Sequence, residues 1–524
     1  MKNKNENRGM RLLKNGRRGI SRIIFSRMGI ISLLFLLQAV LLVLAFVWLE
    51  EALHVYIGST AVITVIAVLF LLNREADPTS KITWLVIFML MPVLGIILYF
   101  YTVTELGHRA LGANISSVLE KSKDLLPPPN ITGEKVEGDA PEPVPIGDYL
   151  KSVGNYACYN DSAVKYFSCG EEKHAALLSE LEKAKKFIFL EYFIISEGEM
   201  WGSVLEILAR KAREGVEVRV MYDGTCEFTT LTPDYASRLK KLGIEGKPFS
   251  PLTPFVSTYY NFRDHRKIAV IDGKVAFTGG VNLADEYINV RSRFGHWKDA
   301  AVMIKGGAVN SFTLMFLQMW AASGKKTVDE RYFVTEKEPK KSDCYVIPYG
   351  DFPLDNNKTG ERVYMDMLNR ASRYVYIMTP YLILDSAMET AIRFAAERGV
   401  DVRIILPGIP DKKTANALAK THYKALISSG VKLYEYAPGF VHSKVVLCDD
   451  TEAVVGTINM DYRSFYHNFE CAAYIRGGSA INEISNDFEE TFGKCRIVTK
   501  ETVKKEKPFV KLMGFILKVI APLM

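Results

Sequence analysis

The sequence predicts an α/β protein of two homologous halves packed about a pseudo-twofold axis, preceded by N-terminal transmembrane helices. Three observations carry this. A five-residue pattern occurs twice with identical internal spacing, 177 residues apart: His265, Lys267, Asp272, Gly279, Asn282, then His442, Lys444, Asp449, Gly456, Asn459. Strand-like and helix-like segments alternate in the same order around each copy. Finally, Gly29–Leu49, Val55–Leu72 and Ile82–Val103 contain no charged side chain, and each is close to the roughly 20 residues that cross a bilayer as a helix.

Residues 1–28 form a basic arm, with nine Lys or Arg against the single acid Glu6. Such an arm ahead of apolar segments reads as cytosolic and close to anionic lipid, rather than bound to nucleic acid. The span region covers residues 29–103. A cleaved signal peptide is disfavoured, because the first apolar run is too long and no small-x-small site follows it. Three full crossings would put everything after Val103 outside the cell. The seven cysteines, odd in number and without framework spacing, favour a reducing compartment instead. A re-entrant or interfacial first or second segment would reconcile the two.

Residues 104–148 read as a linker, with Pro127-Pro128-Pro129 and an acidic, Pro-rich run from Glu137 to Pro145. The first α/β half is placed at 149–338. In it Glu171–Lys185 is helical, Phe187–Ile195 a strand, Trp201–Glu214 a helix and Val216–Met221 a strand. The second half, at 339–500, repeats the order. Arg213-Glu-Gly-Val-Glu-Val-Arg-Val220 resembles Glu397-Arg-Gly-Val-Asp-Val-Arg-Ile404, and Asp299–Gly306 matches Glu470–Gly477 without a gap. Residues 501–524 carry Phe509, Leu512, Met513, Phe515, Ile516, Val519 and Ile520 near one helical face, with Lys511 and Lys518 beside it. That pattern fits an interfacial helix or one packed on the catalytic domain.

On a strand, His and Lys at i and i+2 project from one face. Two such faces brought together would surround one anion with two imidazoles and two ammonium groups. A His nucleophile can attack a phosphodiester to form a phosphoramidate, and a second His can protonate the leaving alkoxide and then deprotonate the incoming hydroxyl. Lys267 and Lys444 would neutralise the non-bridging oxygens, with Asn282 and Asn459 adding neutral donors. Asp299 and Glu470, aligned by the repeat, are candidate partners that fix each imidazole's tautomer. Asp272 and Asp449 complete the motif assigned to catalysis, although next to Gly273 and Asp450 they also read as turn caps. Gly280 and Thr457 follow the motif glycines and are close approaches to the phosphate or packing positions. His296 and His467 are surface or site-lining. No His/Cys cluster has metal-ligand spacing, so neither metal nor cofactor is expected.

These residues resemble the phospholipase D superfamily, whose signature is a duplicated His-x-Lys-x4-Asp motif. Within it the chain is similar to the bacterial cardiolipin synthases, through Asn261–Lys267, Thr278–Ile288, Gly439–Lys444, Gly456–Phe465 and Asn468–Glu470, and through Ser80–Trp84 to Tyr99. Two departures stand out: the extra apolar segment Gly29–Leu49, and Asp264 where the family more often has Asn. The resemblance implies a multi-pass protein of the bacterial cell membrane. It implies conversion of two phosphatidylglycerol molecules into cardiolipin and glycerol, with His265 the nucleophile and His442 the acid and then base. A hydrolase releasing phosphatidic acid shares the motifs, as does a membrane-tethered nuclease; a non-catalytic scaffold would not need both His and both Lys.

Overall fold

A computed structural model describes residues 40, 53–104, 108–127, 146–250, 262–324, 327–334, 342–355 and 357–523. The basic arm, nearly all of Gly29–Leu49 and linker residues 105–107 and 128–145 lie outside these; the rest of the linker is not irregular as expected but holds the helix His108–Ser122, which buries Ile115 in the core.

Two sheets repeat one strand order. The first runs, in space, Ser162–Phe167, Ala301–Gly306, Val275–Gly279, Lys267–Ile271, Phe187–Tyr192, Glu217–Asp223, Glu245–Phe249. The second runs Tyr345–Asp351, Asn468–Arg476, Glu452–Gly456, Val445–Cys448, Tyr374–Met378, Asp401–Pro407, Lys432–Tyr436, with Cys495–Val498 added at its far edge. In each, the strand rich in aromatic and β-branched residues (Phe187–Tyr192 or Tyr374–Met378) pairs parallel on one side and antiparallel on the other. Both faces are covered, which is why these strands are near-continuous apolar runs rather than alternating, with Glu191 the one charged side chain in them. One cluster joins the facing sheets through Val270, Ala276, Val302, Val445, Ala453 and Val455, wrapped around the helix Val309–Ala322. That helix is buried on every side, its polar Asn310, Ser311, Thr313 and Gln318 included. The helix Gly147–Gly154, placed in the first half by sequence, packs Leu150 into the second half's core beside Ile347 and Tyr349.

Two short reciprocal pairings tie the halves together. Arg263–Asp264 pairs parallel with Asn468–Phe469, and Gly439–Val441 pairs parallel with His296–Lys298. Each pairing places a strand leading into one motif histidine beside the strand that leads into the other half's acid.

The membrane segments differ from expectation. Val55–Leu72 falls within the helix Leu53–Asn73. The third segment is not one span: it breaks into Pro78–Leu90 and Pro92–Thr104, 13 residues each. Each is about 20 Å long at 1.5 Å per residue, short of the roughly 30 Å hydrocarbon core. Pro92 is the cause, since it has no N–H to continue the helix and drives the preceding residue out of the α region; Met91 sits at φ −140°, ψ 69°. Among the described residues no helix is long and apolar enough to cross a membrane. In Leu53–Asn73, side chains are described only from Gly58 onward, about 24 Å of helix.

The three helices pack on each other through Ala67, Leu71, Trp84, Phe88, Ile96 and Tyr99, while Ile66, Met89, Leu90 and Ile97 face outward. The C-terminal helix packs on the catalytic half and also leaves an apolar face exposed. Pro508–Ile520 lies against the helix Lys413–Ser428 at Gly514, where a Cβ would stand 2.6 Å from Ala417 O. Its other face leaves Phe509 73% and Phe515 67% exposed. Thr83 Oγ1 donates to Val519 O at 2.6 Å, so the terminal helix and the broken hairpin form one apolar platform.

Candidate active site

Each histidine is held by a carboxylate from the opposite half. His265 Nδ1 lies 2.9 and 2.8 Å from the two Glu470 oxygens, and His442 Nδ1 lies 2.8 Å from Asp299 Oδ2. The backbones follow the same exchange: His265 N donates to Phe469 O at 2.9 Å and His442 N to Lys298 O at 2.7 Å. An ionised carboxylate only accepts, so beside Asp299, and beside Glu470 when it is ionised, Nδ1 carries the proton and Nε2 keeps its lone pair. Both rings are more than nine-tenths buried. Phe193 stands 4.9 Å from His265; Tyr287 and Trp297 each stand 5.3 Å from His442.

Lys267 and Lys444 extend from the same strands, and each Nζ donates to its own motif histidine's carbonyl. Burial lowers Lys267 to about 8 and Lys444 to about 7. Burial, then the charges of Lys267 and Lys444, hold His265 well below the ordinary imidazole range. Burial and Lys444 outweigh Asp299 and bring His442 down to about 3. Both rings are therefore neutral in the free enzyme.

The two acids differ. Burial acts to raise Asp299, but His442, Lys444 and the Ala300 amide outweigh it and hold the carboxyl below its usual range. Burial pushes Glu470 up to about 7, only partly offset by Lys267, Thr457 and Asn468. Thr457 Oγ1 donates to Glu470 Oε2, and Asn468 Nδ2 donates to Oε1 at 3.1 Å.

The remaining motif residues separate into distinct duties. Asp272 accepts from the amides of Lys185, Lys186 and Phe187, and Asp449 from those of Ser372, Arg373 and Tyr374. Both stand in left-handed turns at φ 53°, at the end of the strand away from the imidazoles. They fix the turn and touch no other motif side chain. Gly280 leaves space for Asp299: a Cβ there would collide with Asp299 Oδ1 and lie 2.9 Å from His442 O. Thr457 braces Glu470. Asn282 is committed on both sides, accepting from Ile194 N at 3.0 Å and donating to Tyr287 OH at 2.7 Å. Asn459 is equally buried, but among the described residues neither of its side-chain atoms has a partner. Of the two asparagines it is the one available to a ligand.

Some contributors were missing from the sequence reading. Trp297 and Asn468 each stand two residues before an aligned acid, so the repeat alignment could have found them. His467, expected at the surface or lining the site, has Nε2 3.4 Å from Pro522 O, and His296 Nδ1 is 3.1 Å from Tyr436 OH. Neither joins the motif groups. Among the described residues no group of three or more His, Cys, Asp or Glu side chains gathers as metal ligands.

Residues 177–320 and 364–492, more than half of the chain, match the family described as cardiolipin synthase, PLD-like domain. The chain belongs to that family. Residues 62–102 match the phospholipase D-nuclease N-terminal family, a stretch running from within the helix Leu53–Asn73 through Pro78–Leu90 into Pro92–Thr104. A cardiolipin synthase of Geobacillus kaustophilus is 33% identical over 89% of this chain and 93% of its own. One from Alkalihalophilus pseudofirmus is 31% identical over 91% and 95%. An uncharacterised protein of Streptococcus mutans is 53% identical over 87% of this chain and 99% of its own. The fold is similar to the crystal structure of a phosphatidylserine synthase from Haemophilus influenzae, with TM-score 0.53, 16% identity and coverage of 69% of this chain and 93% of that one. Two phospholipase D-like α/β halves are thus established.

Proposed function

We propose that the chain makes cardiolipin from two phosphatidylglycerol molecules, releasing glycerol through a phosphatidyl-histidine intermediate. The reciprocal pairing of His265 with Glu470 and His442 with Asp299 is the observation that carries this reading. His265 Nε2 attacks the donor phosphorus, the bond to the headgroup glycerol breaks, and His442 Nε2–H protonates the departing oxygen. Burial opposes that protonated imidazolium in the free enzyme; the lipid phosphate anion seated beside it restores it. Lys267, Lys444 and Asn459 hold the non-bridging oxygens as charge shifts in the transition state. In the second step neutral His442 takes a proton from the glycerol hydroxyl of the acceptor lipid. The new P–O bond forms as the P–N bond breaks, and His265 is restored. One phosphodiester replaces another, so no nucleotide is consumed.

The membrane belongs to this reading. The exposed apolar faces of Leu53–Asn73, the hairpin broken at Met91 and the helix Pro508–Ile520 would seat the active site at a bilayer, where lipid is concentrated and water is scarce. A hairpin that enters and leaves by the same side changes the crossing count. With residues 29–49 and Leu53–Asn73 as the crossings, the basic arm and the catalytic halves share the cytosolic side. The cysteines, free among the described residues, suit that compartment.

The deciding experiment incubates purified enzyme with phosphatidylglycerol and identifies products by mass. Cardiolipin and glycerol are expected in equal amounts, with acid-quenched protein carrying phosphatidyl on His265. Phosphatidic acid without cardiolipin would establish the hydrolase instead.

A further inference from the structure

The two halves match from each motif histidine to its asparagine and then differ in length. From Asn282 to Asp299 is 17 positions, whereas from Asn459 to Glu470 is 11. The six extra residues fall in the loop 290–295, between the turn of 3-10 helix Asp285–Ile288 and the strand His296–Lys298. A symmetric core suffices for attack and release at one phosphorus. A second, different substrate calls for something on one side only.

This loop stands on the His442 side. Its base is closed by Asn289, which accepts from Trp297 N at 2.7 Å and donates to Trp297 O at 3.0 Å. Gly295, at φ 72°, packs directly on Pro438 and Gly439, at the start of the strand that leads into His442. Phe294 is 6.2 Å from Phe440, and Phe440 is 6.0 Å from His442. The loop presents Arg291 and Arg293 to solvent. Among the described residues neither guanidinium has an ion pair or a hydrogen-bond partner; Arg293 lies only over its neighbour Phe294, 5.1 Å from the ring centre. Val290 beside them is 51% exposed, and Ile409, whose Cδ1 would lie 3.1 Å from a Cβ on Gly295, is 42% exposed. Unpaired cations flanked by exposed aliphatic groups match a lipid phosphate with its acyl chains.

Resting on the proposed reaction, we infer that Arg291 and Arg293 form the subsite for the phosphate of the acceptor lipid. Lys267 and Lys444 serve the phosphorus that is transferred. The acceptor brings a second anion, fixed one glycerol backbone away from the hydroxyl that His442 deprotonates. In-line displacement puts that hydroxyl opposite His265, on the face the arginine loop borders. The loop therefore distinguishes phosphatidylglycerol from neutral alcohols and from water as acceptor.

The test separates the two half-reactions. Glycerol is a neutral acceptor, so exchange of radiolabelled glycerol into phosphatidylglycerol uses the donor site, His265 and His442 but no second phosphate. Purified full-length enzyme and R291Q/R293Q are compared in neutral-surfactant micelles containing phosphatidylglycerol. Exchange is expected to stay within about twofold of the parent, while cardiolipin formation falls about 10- to 100-fold, the loss for two charge-assisted contacts. R291K/R293K, which keeps the charges, should recover part of it. Unchanged cardiolipin formation overturns the assignment. So does an equal fall in both reactions, which would mean that the loop serves the donor, the general lipid surface or the fold. A parent enzyme that makes phosphatidic acid and no cardiolipin would instead remove the reaction on which the assignment rests, before any variant is compared.

Discussion

Gly280 and Asp299 occupy one place: a side chain on the first would overlap the carboxylate of the second. Asp299 holds His442 from the opposite half, so the smallest possible side chain at 280 controls the acid–base group at a distance. G280A should displace Asp299 and release His442 from its tautomer. We expect kcat to fall by about 10²-fold or more, towards the roughly 10⁴-fold cost of losing the acid of a Ser-His-Asp triad. Overpacking of about 1–3 kcal/mol should accompany it. Circular dichroism with denaturant titration, run beside single-turnover kinetics, checks both. Activity near that of the parent would show that the carboxylate tolerates displacement.

The paired asparagines should behave differently despite their matching motif positions. N282A leaves the Ile194 amide and the Tyr287 hydroxyl buried and unpaired, a cost of about 1–3 kcal/mol visible as a lower denaturation midpoint. Asn459 supports no other group with its side chain, so N459A should lower the midpoint less than N282A does and lower kcat/KM instead. Equal stability losses for both variants would contradict this division.

Much of this arrangement was legible in the sequence, and the parts that were not have physical reasons. His, Lys and the aligned acids could be read because strand spacing and an internal repeat fix faces and register without knowledge of packing. The strands Phe187–Tyr192 and Glu217–Asp223 emerged within a few residues for the same reason. Duties set by contacts across the halves could not be read that way. Asp272 and Asp449 look catalytic in a motif but bind backbone amides 85 and 75 residues upstream, at Phe187 and Tyr374. Thr457 and Gly280 look like phosphate neighbours, yet each serves a carboxylate. The uncharged run Ile82–Val103 reads as one span by hydropathy alone, which gives too little weight to Pro92. The helix Val309–Ala322 was not singled out, because a helix buried on every side carries no charged stripe to mark a solvent face.

The lysines set the alkaline side of the pH profile. Burial lowers Lys444 to about 7 and Lys267 to about 8, so in free enzyme both lose charge as pH rises through that range. Loss of charge weakens attraction for the lipid phosphate, and kcat/KM should fall above about pH 7–8. Bound lipid favours the charged form, so kcat should hold to higher pH than kcat/KM. K444R keeps its charge and should move the alkaline limb upward, even if its geometry costs rate. Stability has the opposite sense on the acid side. Both imidazoles have folded values below the ordinary 6.5, so the unfolded chain binds more protons, and stability should decline as pH drops below about 6.5. A kcat/KM profile that is flat from pH 6 to 9 would count against the assigned roles of the lysines.

On the proposed topology, the break at Met91 sets the side on which catalysis takes place. If residues 29–49 and Leu53–Asn73 cross and the hairpin on either side of Met91 does not, an even number of crossings puts residue 14 and the exposed residue 500 in the same compartment. Single cysteines K14C and K500C, introduced separately and read against the parent chain, should both resist a membrane-impermeant maleimide in intact cells. Both should label once the membrane is opened. Labelling of K500C alone in intact cells would require an odd number of crossings, as with a continuous helix through Pro92. P92A supplies the internal check: restoring the amide removes the reason for the break, and a helix of about 27 residues from Pro78 would be about 40 Å long, enough to cross. A shift of K500C towards external labelling in P92A would tie the side of catalysis to that one proline.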